Sequence, residues 1–157
     1  MRRRSYVAKS PTLTQAKIAD VLARTIFGEA RGEGEEGRQA VAAVILNRVR
    51  LANLAKGKHW WGNNIEEVCR KPWQFSCWNA GDPNRAKIEA VNGRNKLFAA
   101  CLAIAQEAVG GHLVDLTDGA THYHEASLNP PWAKTMERTI VIGRHVFYKE
   151  KEKAEKK

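Results

Sequence analysis

The sequence of 157 residues lacks an apolar run long enough to cross a membrane, which takes about 20 residues. Its basic start also lacks the apolar centre of about 7–15 residues that a secretory signal peptide requires. We therefore expect no membrane insertion, and we expect synthesis in the cytoplasm without unaided export.

Cysteine is scarce, with only Cys69, Cys77 and Cys101 in the chain. The odd number and the absence of a Cys-x-x-Cys pair do not indicate a disulfide framework, although one bridge between Cys69 and Cys77 stays open. This usage is typical of a chain made in a reducing compartment. Cys101 lies in an apolar helical stretch and is expected to be a small buried core residue.

The central region has little excess of positive over negative charge, although the formal net charge of the whole chain is +9. Residues 1–10 carry four positive and no negative side chains, and residues 149–157 carry five Lys and three Glu, which leaves +3 for residues 11–148. A nucleic-acid-binding domain more often carries its charge as a patch on folded structure. We expect no specific nucleic-acid partner, and only a weak attraction to polyanions.

The length favours a single domain, which we divide into a basic leader (1–12), a folded domain (13–148) and a charged tail (149–157). Apolar residues from Ile18 to Ile26 recur at helical spacing and predict a helix of about 14 residues, which the following glycines weaken. A second helix is predicted from about Glu36, and a further helical region from Pro83 to Gly110 with a pause at Asn92.

Residues 52–82 show no helical spacing of apolar residues and contain four of the five tryptophans. Such a long aperiodic stretch is typical of a functional loop that contains short elements of its own. The stretch 139–148 combines β-branched and aromatic residues with a central glycine, and predicts a short hairpin. We expect the charged tail after it to be a frayed helix or disordered.

Glu29 is the strongest candidate for chemistry, because it continues the apolar stripe of the first helix. Partial burial would raise its pKa, and a carboxyl group that keeps its proton near neutral pH can act as a general acid. Gly28 beside it allows a close ligand, and the aromatic-rich loop offers flat faces for sugar rings. This combination suits glycosidic cleavage; the alternative is a helix-end carboxylate paired with Arg31 or with a backbone amide.

Glycoside hydrolysis usually needs a second carboxylate, about 5–5.5 Å away for retention or roughly 6.5–9.5 Å for inversion. The nearby candidates are Glu33, Glu35 and Glu36, with Glu33 as the first choice. All three lie among glycines on what we expect to be a solvated surface turn. A mechanism with a single acid would not need any of them.

His122 and His124 raise the question of a zinc site, because His-x-His can supply two ligands. Alternation along a strand would place both on one face and Tyr123 on the other. No His-Glu-x-x-His or Cys-x-x-Cys accompanies them, so we expect no metal and interpret these histidines as polar lining of a groove.

These residues resemble a known family, the SleB/CwlJ-type cell-wall hydrolases. The resemblance covers about residues 18–148 and rests on three blocks in the family's order: 22–33 continuing into 37–49; 68–77; and 120–124 followed by Trp132 and 142–147. It implies an α+β, mainly α, lysozyme-like domain with a small β element. It also implies cleavage of the MurNAc–GlcNAc bond of peptidoglycan.

The resemblance places the family's catalytic glutamate on Glu29 and favours a lytic transglycosylase, which leaves a 1,6-anhydro end on MurNAc. Many relatives have Tyr-Tyr-Asn where this chain has His122-Tyr123-His124, so the role of that Asn has no counterpart here. The side chains expected to bind the glycan are Gln74, Phe75, Ser76, His122, Tyr123, His124 and Trp132.

We therefore predict a monomeric peptidoglycan-degrading enzyme without a cofactor, whose partner is the glycan strand. Since no signal peptide is recognised, we expect a phage-type endolysin or a virion-associated enzyme that acts on the bacterial wall. The alternatives are a hydrolytic muramidase that uses a second carboxylate, an inactive glycan-binding module, and a basic nucleic-acid-binding protein.

Overall fold

The protein is described by a computed structural model over residues 12–54, 61–72 and 74–152. Within these residues the structure has five α-helices and a three-stranded sheet, with short 3₁₀ helices at Ser76–Trp78 and Pro131–Thr135. The helices are α1 (Leu13–Ala30), α2 (Glu35–Leu54), α3 (Ile65–Arg70), α4 (Pro83–Ala90) and α5 (Lys96–Val109), and the strands are β1 (His122–Glu125), β2 (Met136–Ile142) and β3 (His145–Glu150).

Helix α1 begins with a capping box, in which Thr12 Oγ1 accepts from the Gln15 backbone and Gln15 Oε1 accepts from the Thr12 backbone. The helix is 18 residues long rather than about 14, because it continues through Gly28 to Ala30. Cys77 packs against Gly28 so closely that a Cβ there would lie 2.7 Å from Cys77 Cβ. Tertiary packing thus outweighs the low helix propensity of glycine.

The main core lies between α1, α2 and α5, and it buries the C-terminal part of the predicted apolar stripe of α1. Leu22 and Ile26 are fully buried, and Cys101 of α5 lies in the same core, as predicted. All three cysteines are buried and free, so the Cys69–Cys77 bridge is not formed.

The sheet has the strand order β1-β3-β2 and is antiparallel throughout, which confirms the predicted C-terminal hairpin. A second core cluster joins the sheet to α2 and consists of Ala40, Val44, Ala120, Ile142 and Phe147. Strand β3 continues to Glu150, so the first residues assigned to the charged tail are part of the fold, because Met136 and Glu137 of β2 pair with them. Residues 153–157 lie outside the described part.

The aromatic-rich region contains α3 and the 3₁₀ helix Ser76–Trp78, as expected for a long functional loop; Trp60 and Trp73 lie outside the described residues. Asp82 caps α4 and Asn95 caps α5, which confirms the predicted start at Pro83 and the pause near Asn92. Among the described residues, no helix combines the length and the apolarity that a membrane crossing demands.

Candidate active site

Glu29 occupies the last turn of α1 and points into the interface between the helices and the sheet. Its Oε2 accepts a hydrogen bond of 3.3 Å from the Tyr123 hydroxyl, whereas its Oε1 is buried without a hydrogen-bond partner. Burial raises the pKa of Glu29 above its ordinary value. The alternative pairing with Arg31 is absent, because Arg31 Nη2 donates to Asn84 Oδ1 at 2.6 Å.

The groups around Glu29 act on its pKa in both directions. Burial is the largest influence and favours the protonated form, while the Cys77 thiol, the Tyr123 hydroxyl and the Cys77 backbone N–H favour the carboxylate. The negative charge of Asp82, ahead of α4, raises the pKa slightly further. The result is a carboxyl group that can both release and accept a proton, as a general acid and base must.

Tyr123 of β1 is held in place by two neighbouring rings of β3. Its ring centroid lies 4.9 Å from that of His145 and 5.6 Å from that of Phe147. Burial raises the pKa of Tyr123 well above its ordinary value, so its hydroxyl stays a neutral hydrogen-bond donor to Glu29.

Glu33 is not solvated, in contrast to the expectation for a surface turn. Its side chain is 9% exposed, and both carboxylate oxygens accept from the backbone N–H of Arg144, at 3.1 and 3.3 Å. The nearby His145 Nδ1 lies 3.8 Å from Glu33 Oε1, and burial lowers the pKa of His145, which favours the neutral ring. Glu33 therefore anchors the β2–β3 turn, while Glu35 and Glu36 are exposed.

Four aromatic and imidazole rings lie together on the other side of β1; we call this group the aromatic cluster. Trp132 lies at its centre, with ring centroids 5.3–5.7 Å from those of the other members, which are His122, His124 and Tyr148. The predicted alternation is confirmed, since His122 and His124 contact Trp132 while Tyr123 contacts Glu29.

Hydrogen bonds fix both histidines of the aromatic cluster. His122 Nδ1 lies 2.9 Å from Thr121 Oγ1, and His124 Nε2 lies 2.9 Å from the Tyr148 hydroxyl. Burial and the nearby Arg48 lower the pKa of His122 to about 4. The His122 ring is therefore uncharged at neutral pH and presents a polar, flat surface.

Two residues of the block Gln74-Phe75-Ser76 make contacts inside the domain, whereas the sequence predicted that all three line a glycan-binding groove. Gln74 Nε2 donates to the backbone oxygens of Trp61 and Val68, at 3.2 and 2.5 Å. Phe75 is 3% exposed and belongs to the main core, because a large apolar ring gains more from burial there. Of the three, only Ser76 is exposed.

Arg48 of α2 is a buried cation that the sequence patterns did not single out. Its Nε donates to Thr121 O at 2.7 Å, and its guanidinium lies over the rings of Trp61 and Phe75, 5.7 and 5.4 Å from their centroids. Burial lowers its pKa to about 10, so it remains charged beside Glu29 and Tyr123. The sequence does contain an indication of this buried cation, because the polar pair Asn47-Arg48 interrupts the apolar inner face of the predicted second helix.

Asn47 ties the same helix to the segment before β1. Its Nδ2 donates to Ala120 O at 2.9 Å and to Asp115 Oδ2 at 3.0 Å. Together with Arg48, it fixes the entry of the strand that carries Tyr123. Within the described ranges, no group of three His, Cys, Asp or Glu side chains is arranged to hold a metal ion.

A family model described as Cell Wall Hydrolase matches residues 32–148. The chain is 30% identical over 132 residues to a spore cortex-lytic enzyme of Bacillus subtilis, covering 81% of this chain and 36% of that protein. A Bacillus cereus spore cortex-lytic enzyme is 30% identical over 134 residues, covering 82% and 43% respectively, so the chain spans about two-fifths of these relatives.

Two solved structures of SleB catalytic domains resemble the fold of this chain. The catalytic domain of the germination-specific lytic transglycosylase SleB from Bacillus anthracis matches with a TM-score of 0.65 at 26% identity, over 91% of this chain and 100% of that one. The Bacillus cereus SleB catalytic domain matches in fold with a TM-score of 0.63 at 24% identity, over 95% and 100%. The chain therefore belongs to the cell wall hydrolase family and has the lysozyme-like, mainly helical fold of the SleB catalytic domain.

Proposed function

We propose that this chain cleaves the MurNAc–GlcNAc bond of peptidoglycan as a lytic transglycosylase, with Glu29 as acid and base. The observation that carries the proposal is the asymmetric setting of the carboxyl group, whose Oε2 is held by Tyr123 while Oε1 is buried and unpartnered. The description of the Bacillus anthracis relative as a lytic transglycosylase supports it. Action as a phage-type or virion-associated lysin stays a prediction.

In the first step, the protonated Glu29 gives its proton to the glycosidic oxygen, and the bond from that oxygen to C1 of MurNAc breaks. In the second step, the C6 hydroxyl oxygen of the same MurNAc attacks C1, and its proton passes to the Glu29 carboxylate. No water is consumed, and Glu29 returns to its starting state. Tyr123 stabilises the transient carboxylate by its hydrogen bond to Oε2.

The setting of the other carboxylates favours this route over a hydrolytic muramidase. Glu33 directs both oxygens at the Arg144 backbone, and Asp82 Oδ1 accepts from the Asn84 backbone at 2.8 Å as the cap of α4. Each of these two carboxylates therefore has a structural role that accounts for its position. An internal hydroxyl nucleophile removes the need for a second carboxylate.

Product analysis tests the route. Purified sacculi are digested with the protein and with Glu33→Gln, and the released muropeptides are weighed by mass spectrometry. We expect products lighter than hydrolysed muropeptides by one water from both proteins. Reducing-end products from the unaltered protein, lost in Glu33→Gln, would instead establish the muramidase mechanism with Glu33 as the second carboxylate.

The aromatic cluster is proposed as a glycan-binding surface, because the partly exposed rings of His122, His124 and Trp132 can stack on the apolar faces of pyranose rings. Trp132→Ala removes the central ring and is expected to lower kcat/KM roughly tenfold, mainly through KM, which corresponds to about 1.4 kcal/mol of binding free energy. The measurement is the initial rate on soluble glycan strands. Leu128→Ala, an exposed apolar change before Pro131–Thr135, is the control; equal KM values in both variants would refute the role of Trp132.

A further inference from the structure

Cys77 is seated directly against the end of the helix that carries Glu29. A Cβ on Gly28 would lie 2.7 Å from Cys77 Cβ and 2.8 Å from Cys77 Sγ, so the thiol occupies space that only a glycine leaves open. Cys77 itself is 1% exposed. The thiol is therefore fixed beside the residue that precedes Glu29, in a place with no access for solvent.

The chemistry of this contact is that of a weak, neutral donor. The Cys77 thiol and its backbone N–H both favour the charged form of Glu29, while burial and the nearby Glu29 raise the pKa of the thiol. The thiol therefore stays protonated near neutral pH. A neutral thiol can orient the carboxyl group without adding a charge beside it.

We propose that Cys77 is a positioning residue, whose thiol, seated in the space left by Gly28, holds the Glu29 carboxyl group in the orientation that its role as acid and base requires. This inference rests on the proposed function. A serine hydroxyl is a stronger donor than a thiol and an alanine methyl group is none, so the two substitutions should act in opposite directions on the proton affinity of Glu29.

Other charged and titratable groups face Glu29 from the elements packed around it, and the substitutions leave them in place. They are Tyr123 from β1, Arg48 from α2, Cys69 from α3 and Asp82 ahead of α4. A change in the titration of Glu29 that distinguishes Cys77→Ala from Cys77→Ser therefore reports the donor at position 77.

The experiment compares Cys77→Ala and Cys77→Ser with Cys101→Ala, which removes an equally buried thiol from α5. Titration of the Glu29 carboxyl carbon by NMR needs no catalytic activity. We expect the pKa of Glu29 to increase in Cys77→Ala, to decrease in Cys77→Ser, and to be unchanged in Cys101→Ala.

Kinetics on peptidoglycan give the second readout. The alkaline limit of kcat, where Glu29 loses its proton, should move to higher pH in Cys77→Ala and to lower pH in Cys77→Ser. At the optimum, we expect kcat of Cys77→Ala to fall roughly tenfold with KM unchanged, because misorientation of the acid affects the chemical step. Cys77→Ser should recover most of that loss.

The outcomes separate the two proposals. If Cys77→Ala matches Cys101→Ala in the Glu29 titration and in kcat, Cys77 is a packing residue and the inference is wrong. If the titration shifts as expected but the unaltered protein releases no muropeptides, the positioning contact stands and the proposed function fails. Because serine closely matches cysteine in size, Cys77→Ser keeps the test decisive if the alanine variant does not fold.

Discussion

Replacing Glu29 by Gln is expected to lower kcat on peptidoglycan about a thousandfold, within the range that general acid–base catalysis contributes. Glutamine matches the size of glutamate and can keep the contact with Tyr123, but it has no proton to give to the glycosidic oxygen. The measurement is the release of soluble muropeptides from sacculi. Glu36→Gln, at an exposed carboxylate of α2, is the matched control and should retain full activity.

Binding measurements on the same pair separate the rival functions. We expect Glu29→Gln to sediment with sacculi as strongly as the unaltered protein, since the aromatic cluster proposed to bind glycan is unchanged. Solubilisation of sacculi at the normal rate by Glu29→Gln would disprove its catalytic role. Binding without any solubilisation by the unaltered protein would indicate a glycan-binding module, and salt-dependent retention on DNA without muralytic activity would indicate a nucleic-acid-binding protein.

The same substitution has a second signature, in stability. Because the pKa of Glu29 is raised in the folded state, the folded and unfolded states both hold the proton well below pH 4.5, the ordinary value. Above that value the unfolded chain releases the proton first, and the free energy of unfolding falls as the pH rises. Glu29→Gln has no ionisable group at this position and avoids this loss of stability. The free energy of unfolding of the variant, relative to that of the unaltered protein, should therefore increase from pH 4 to pH 7 in denaturant titrations.

Phe147→Ala is expected to lower the free energy of unfolding by about 3–5 kcal/mol, a large part of the stability of a typical domain. Phe147 is fully buried in the cluster that joins the sheet to α2, and its ring packs on Tyr123. The cavity should also loosen Tyr123 and thereby reduce kcat. Denaturant unfolding and muropeptide release measure the two effects.

Ile140→Ala is the control for Phe147→Ala. Ile140 pairs with Phe147 across the hairpin but is 38% exposed, so its truncation should cost less than about 1 kcal/mol. Equal losses in the two variants would contradict the assignment of Phe147 as the link between the sheet and the helices.

Local patterns were sufficient for most of the fold. The apolar spacing of α1, the cap at Asp82, the pause near Asn92 and the C-terminal hairpin depend on residues within one or two turns of each other, and the structure confirms each of them. The placement of Glu29 toward the interior followed from the same spacing, because a residue that continues an apolar stripe faces the core.

The partners of Glu29 come from distant parts of the chain. Tyr123 is 94 residues away, and Cys77 reaches Glu29 only because Gly28 leaves room for it. The roles of Phe75 and Glu33 also differ from the prediction, since a contact with Arg48 and a hydrogen bond to the Arg144 backbone withdraw them from solvent. No local pattern encodes such contacts.

The sequence by itself therefore determined the helices, the hairpin and the acid that faces inward, since propensity, capping and periodicity act over a few residues. Only the tertiary structure decided which groups surround that acid and how strongly it holds its proton. The reason is physical: desolvation and hydrogen bonding depend on atoms that packing brings together, whatever their separation along the chain.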